Sequence, residues 1–181
     1  PLFPPLSSPP ISSNPLSFDF PPLLPSPPKK KIVKMLRTNH KPRKGIYKLP
    51  KDSKYKGSHD PVYRSSWELQ MCKWCDTNPN VKYWMIEGTV IPYVSKVDRK
   101  LHRYYIDFTV QFTNGQTALF EIKPHRQTLK PTHKKIKTKK HLNEVYTYTR
   151  NVSKWEAAKE FARKNNVSFQ ILTENDLKKM G

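Results

Sequence analysis

The stretch from Tyr104 to Pro124, YYIDFTVQFTNGQTALFEIKP, limits what this chain can fold into more than any other. Two runs of alternating residue type flank Asn114-Gly115, and alternation on both sides of a glycine turn predicts a β-hairpin. In the first run Ile106, Phe108, Val110 and Phe112 share a face, leaving Asp107, Thr109 and Gln111 on the other. In the second, Ala118, Phe120 and Ile122 form the apolar set, and Leu119, Glu121 and Lys123 point away from it. A two-residue loop at Asn114-Gly115 would pair Phe108 with Glu121 and put Asp107 on the far side of the sheet from Glu121. A three-residue loop, with Thr113 and Asn114 at the centre of a type I turn and Gly115 left-handed in a G1 bulge, sets Asp107 opposite Glu121 instead. It also gathers both apolar sets on one face, so burial and charge favour the same register.

Two carboxylates on neighbouring strands resist joint ionisation and need either a shared proton or a cation. Mg²⁺ takes oxygen ligands, keeps several waters and is commonly held by one or two carboxylates plus substrate phosphate oxygens. Asp107, Glu121 and a phosphodiester fit that description, with Lys123 alongside. A lone D…ExK pattern also fits an ordinary solvated hairpin face, so the rest of the chain has to decide. The 181 residues carry 34 Lys+Arg against 14 Asp+Glu, a formal charge of +20. A field of that sign and size points to a polyanionic partner, nucleic acid first. No apolar run approaches the roughly 20 residues of a membrane helix, and no basic amphipathic helix suggests a membrane surface. Two cysteines, Cys72 and Cys75, cannot make a disulfide framework and suit a reducing compartment, which argues against secretion.

Eleven of the 18 prolines lie in the first 28 residues. Such a segment can build neither helix nor ladder, so residues 1–40 are expected to form a disordered, proline-rich tail. The tail lacks the charged start and cleavage site of a signal peptide. Met35 reads as the natural start, with the preceding piece as translated upstream sequence; a proline-rich docking arm is the alternative. Without residues 1–40 the balance is 29 basic against 13 acidic residues, or +16, so the charge belongs to the domain at 41–181. Its first part, residues 41–63, is basic, broken by proline and glycine and dotted with tyrosine, and reads as an extended arm over the domain or along a phosphate backbone.

A helix is expected from Ser65, with Ser65 or Ser66 as N-cap and Glu68 in the first turn. Trp67, Met71, Trp74 and Cys75 recur at helical spacing, and Asn78-Pro79-Asn80 stops it. Glu68 shares a stripe with Cys72 and Cys75, so it either compensates the helix dipole or leans over the hairpin as a third carboxylate. Cys72 and Cys75 lie mid-helix with no second pair, which favours packing over redox or zinc chemistry. Residues 81–94 are strand-like, with Gly88 marking a bulge or bend and Glu87 a reserve ligand. His102, Arg103 and Tyr104 precede Asp107 within reach of a phosphate.

From Lys123 to His141 there are eight Lys/Arg and three His, with no acid before Glu144. A run this dense repels itself without an anion, so it is expected to be a mobile loop ordered by nucleic acid, with Arg126, Lys130, Lys134, Lys135, Lys137, Lys139 and Lys140, together with Arg103, as phosphate contacts. Helix propensity follows over 142–148 and again over 153–164 with Ser153 as N-cap, and Trp155, Ala158, Phe161 and Ala162 form its apolar stripe. Residues 167–172 suggest a strand, and Thr173 caps a last helix. The expected order is α-β-β-β-α-β-α, an α/β fold with a mixed sheet flanked by helices.

RSSWE at 64–68, IPY at 91–93, HRYYIDF at 102–108, EIKP at 121–124 and the KW…A…F…ILTE pattern over 154–174 resemble the head completion nucleases of T-even-type tailed phages. The resemblance runs from about Lys41 to Leu177. That family is similar in turn to transposon-encoded end-cleaving endonucleases with the PD-(D/E)xK, restriction-endonuclease-like fold. It implies that Asp107, Glu121 and Lys123 are the motif residues and Glu68 the helical carboxylate of the site. Ile106 stands where the motif's proline often sits, which bears only on local strand shape. The implied activity is metal-dependent hydrolysis of DNA, with Mg²⁺ (Mn²⁺ as a substitute) on Asp107, Glu121 and the Ile122 carbonyl. Lys123 would orient the nucleophile or stabilise charge at phosphorus, and Glu68 would bind a second metal or position water. DNA is then the partner, with phage head or portal proteins beside it, in the virion or the host cytoplasm; no small-molecule cofactor is expected. Two rivals are a non-catalytic DNA- or RNA-binding head protein and a transposase-associated or junction-cleaving endonuclease.

Overall fold

The computed structural model describes residues 44–132 and 138–180. The expected proline-rich tail, with Met35, and the phosphate contacts Lys134, Lys135 and Lys137 lie outside the described residues. In chain order the elements are β1 (Gly45–Ile46), β2 (Val62–Tyr63), α1 (Ser66–Thr77), β3 (Val81–Ile86), β4 (Val90–Val94), β5 (Leu101–Tyr105), β6 (Phe108–Phe112), β7 (Thr117–Ile122), α2 (His125–Thr128), α3 (Lys139–Lys164), β8 (Ser168–Leu172) and α4 (Glu174–Met180). The central sheet runs β3-β6-β7-β8, antiparallel except for the parallel β7–β8 pair, so it is mixed and flanked by helices as expected.

The turn between β6 and β7 fixes the register. Gly115 has φ +85° and its N–H donates to the Phe112 carbonyl at 3.1 Å, which closes a turn with Thr113 and Asn114 at its centre. Phe112 N–H then donates to Gln116 O at 2.8 Å across a three-residue loop. The pairs Val110–Ala118 and Phe108–Phe120 follow. One step further in that register Asp107 meets Glu121.

Each face of this sheet is covered. On one side Phe108, Val110, Ala118, Phe120 and Ile122 pack with Met71, Cys72 and Cys75 of α1 and Leu177 of α4. Both cysteines are fully buried, and burial pushes the Cys72 thiol up to about 12, so they are core residues. The other face carries Leu119 and Glu121 and is not solvated: Ala158 and Phe161 of α3 close over Leu119, together with Ile91, Tyr93 and Tyr104.

The structure corrects the expected elements in several places. Residues 81–94 form two strands, and so does the run from Tyr104 to Phe112. Ile86 pairs with Phe108 and Val90 with Tyr105, which leaves Glu87, Gly88 and Thr89 opposite only Ile106 and Asp107. Three residues against two make a bulge, and Glu87 takes φ +51° within it. A Cβ on Gly88 would meet the Met85 Cβ at 2.9 Å, so the bulge needs a glycine there. The chain turns over at this point: Ile106 leaves the Phe108 set and packs with Tyr104 and Leu119.

The helix expected to start at Ser153 is one 26-residue helix capped by Thr138. Ser153 resembles a cap in sequence, but its hydroxyl donates to Thr149 O and accepts from Lys96 N–H, which satisfies it inside the helix. The basic run is likewise not all loop. Arg126 lies in α2, and Lys139 and Lys140 open α3. Within the stretch 41–63 expected as an arm, Tyr47 and Tyr55 pack at tilted angles against Trp84, and Lys56 N–H donates to Trp84 O.

Because Gly115 alone supplies the left-handed turn residue, with open space around its Cβ position, Gly115→Ala is expected to cost about 1–2 kcal/mol through backbone strain. A urea melt with an unchanged slope checks it.

Candidate active site

The bulge and the β6–β7 register together build the site. Asp107 sits at the turnover between β5 and β6, and Glu121 sits near the end of β7. Asp107 Oδ2 accepts the Ile122 backbone N–H at 2.8 Å, which pins it to the neighbouring strand. Lys123 Nζ lies 2.6 Å from Glu121 Oε1. Each carboxylate thus has one engaged oxygen. Glu121 is 1 % exposed, and its other oxygen, Oε2, is buried with no hydrogen-bond partner among the described residues.

Burial raises the Asp107 carboxyl to about 7, and the adjacent Glu121 charge pushes it the same way while Lys123 offsets part of the rise. Burial alone would depress Lys123, but the Glu121 and Asp107 charges outweigh it and hold its ammonium up. This is a carboxylate pair with one cation between two anions, which resists full ionisation. The orphaned Glu121 oxygen and the penalised Asp107 charge fit a hard divalent cation, which would relieve both.

Glu68 comes near but does not join them. Its carboxylate completes a capping arrangement at the start of α1: Oε1 accepts from Ser65 Oγ at 2.9 Å and Oε2 from Arg64 N–H at 2.7 Å, while Glu68 N–H donates to Ser65 Oγ. Among the described residues no three His, Cys, Asp or Glu side chains converge as a metal-ion cluster. A cation at this point would be held by two carboxylates plus backbone and water oxygens, with Ile122 supplying the peptide between them. Glu87 pairs with Arg64 instead, whose guanidinium also feels Glu68 and Asp107.

Of the expected phosphate contacts, Arg126 follows the site directly, Lys130 lies on the exposed segment after α2, and Lys139 and Lys140 are exposed at the start of α3. Arg103 alternates with the buried Tyr104 on β5, so it occupies the opposite face of that strand, beside exposed Val90, Val94, Leu101 and Tyr105. A concavity between α1 and α4, lined by Gln70, Lys73, Trp74, Thr77, Leu177 and Met180, lies apart from these residues and offers no comparable chemistry.

Two further residues belong to the neighbourhood. Tyr104 is buried, its hydroxyl faces the Glu121 carboxylate without closing a well-formed hydrogen bond, and burial and Glu121 together drive its pKa far up. Lys154 of α3 stands over the Tyr104 ring, 5.0 Å from its centroid. The sequence held a signal for Lys154: it lies one helical turn before Ala158, on the stripe that packs onto the sheet.

Since Asp107 rises from 3.8 unfolded to about 7 folded, its ionisation destabilises the fold as pH climbs from about 4 to about 7, and fully above that. Asp107→Asn is therefore expected to raise the metal-free melting temperature near pH 8 by about 4–8 °C, on the order of 2 kcal/mol, and to change it little near pH 4. Differential scanning calorimetry at the two pH values checks the sign.

A family model described as the TnsA-like endonuclease N-terminal domain matches residues 78–174, a span from the start of β3 to the start of α4 that contains Asp107, Glu121 and Lys123. The chain is also 40 % identical over 139 residues to the head completion nuclease of Enterobacteria phage T4, covering 74 % of this chain and 93 % of that protein. With the mixed sheet and the Asp107–Glu121 carboxylate pair in place, these matches show that the chain belongs to the TnsA-like endonuclease family, alongside the phage head completion nuclease.

Proposed function

We propose that this protein is a Mg²⁺-dependent DNA endonuclease that hydrolyses phosphodiester bonds, acting on the end of packaged DNA during phage head assembly. The observation that carries the chemistry is the pair of half-buried Asp107 and buried Glu121, each with one oxygen lacking a hydrogen-bond partner among the described residues, and Lys123 clasped to Glu121. The assembly role rests on the similarity to a relative named for head completion. On that reading the protein works in the virion or the host cytoplasm, with head or portal proteins as neighbours. Mn²⁺ would serve in place of Mg²⁺ by the same oxygen chemistry.

A divalent cation at the pair supplies Lewis acidity at the phosphate and lowers the pKa of its water. The chain's residues do the rest. Asp107 and Glu121 hold the cation, and the Ile122 N–H keeps Asp107 turned toward β7. Lys123 holds Glu121 Oε1 in place and sits where it can orient the attacking water or meet negative charge growing on phosphorus. Glu68, fixed by the α1 cap, positions water or a second cation from the side. The exposed cations at Arg126, Lys130, Lys139 and Lys140 bind the backbone on either side of the cut and make affinity fall with salt.

Incubation with linear, nicked and branched DNA in Mg²⁺ and in Mn²⁺ tests this. Cleavage is expected from the natural chain. Asp107→Ala or Glu121→Ala should slow it at least about 10³-fold, and Lys123→Met about 10²-fold, with DNA binding kept in Ca²⁺. Binding without metal-dependent cutting by the natural chain would leave a structural head protein, and strong preference for branched DNA would mark a junction enzyme.

A further inference from the structure

The site contains a second amine that the reading above leaves without a task. α3 crosses the Leu119–Glu121 face of the sheet, and Ala158 packs in the cluster of Leu119, Tyr104 and Ile106. Lys154 is one turn earlier on the same stripe. α3 ends just before β8, whose first residue Ser168 pairs with Ala118, so stepping back along α3 from Ala158 runs toward the Glu121 end of β7, where the ammonium feels the charges of Glu121, Lys123 and Asp107. It rests 5.0 Å above the ring of Tyr104, whose own side chain is 1 % exposed. A buried aromatic floor holds the ammonium in one place at little entropic cost.

The two lysines are not equivalent. Lys123 is taken by Glu121 at 2.6 Å. Lys154 makes no salt bridge or side-chain hydrogen bond among the described residues, and burial depresses it. A half-buried ammonium that feels two carboxylates but bonds neither among the described residues keeps its donors free for a direct anionic partner. Such a ligand has to be anionic and has to reach the space next to the carboxylate pair. The scissile phosphate, with two charged non-bridging oxygens, meets both requirements.

We propose that Lys154 is a second catalytic lysine, which binds a non-bridging oxygen of the scissile phosphate from the α3 side while Lys123 stays clasped to Glu121. The inference rests on the endonuclease reading. It divides the work between two cations: Lys123 holds the Glu121 carboxylate in place, and Lys154 meets the charge that grows on the phosphate oxygens.

The test is single-turnover cleavage in Mg²⁺ together with DNA binding in Ca²⁺. Lys154→Met preserves the apolar stem over Tyr104 and removes the charge. It should slow cleavage about 100-fold while the dissociation constant changes less than about threefold. Lys154→Cys should be similarly slow and regain most of the lost rate after treatment with 2-bromoethylamine, which rebuilds a lysine-like amine at that position; Cys72 and Cys75, both fully buried, are shielded from the reagent, and the natural chain treated in parallel is the control. A Lys154→Met rate within about threefold of the natural chain overturns the inference, as does a rate loss fully matched by weaker binding, or no recovery after aminoethylation of a variant that melts normally. A natural chain that cuts no DNA with either metal removes the endonuclease reading, and this inference with it.

Discussion

Two carboxyl groups held close together inside a protein repel each other and lose hydration, and this opposition governs the centre of the molecule. Glu121 is buried within β7, and Asp107 is locked to the same strand by the Ile122 N–H. Burial first and the neighbouring Glu121 charge second raise the Asp107 carboxyl to about 7, and Lys123 offsets only part of that rise. Replacing such a pair by apolar residues would ordinarily stabilise a fold. Its presence here is therefore better explained by a ligand that brings positive charge than by the needs of folding. The bulge at Glu87–Thr89 serves the same end. It breaks the regular alternation so that Asp107 can turn toward Glu121 while Ile106 and Phe108 enter different clusters.

Much of this was legible in the sequence because it depends on local chemistry. Thr113-Asn114-Gly115 prescribes a three-residue turn, and that turn sets the register that brings Asp107 to Glu121. Ser65 and Glu68 prescribe the start of α1, and the mid-helix position of Cys72 and Cys75 marks them as core. What was not legible depends on tertiary partners. Gly88 hints at a bulge, but a strand pattern does not reveal how many residues face it across the ribbon. The alternation of Ile106 with Phe108 is genuine in sequence and fails in space because the chain turns over between them. Ser153 reads as a cap until Lys96 N–H arrives from another element to occupy its hydroxyl. Lys154 reads as an ordinary helical lysine until Tyr104 is seen beneath it.

The arrangement also explains how one small domain can serve a polyanion. The sheet is rigid and covered on both faces, so the residues that need fixed geometry sit on strands. The exposed cations assigned to a phosphate backbone under the proposed function, Arg126, Lys130, Lys139 and Lys140, sit on α2, the segment after it and the start of α3. α3 links the two groups: its start carries exposed lysines and its middle packs against the sheet next to Glu121. The match to the TnsA-like endonuclease family spans residues 78–174 and so covers Asp107, Glu121 and Lys123 together with α2 and α3.

The central claim is that Asp107 and Glu121 share one divalent cation. Anomalous scattering from crystals soaked in Mn²⁺ addresses it directly. The account predicts a single strong peak at about 2.0–2.2 Å from the free oxygen of each carboxylate, lost in Asp107→Asn crystals. A map without density there, or with manganese bound at a site that excludes either residue, would contradict it.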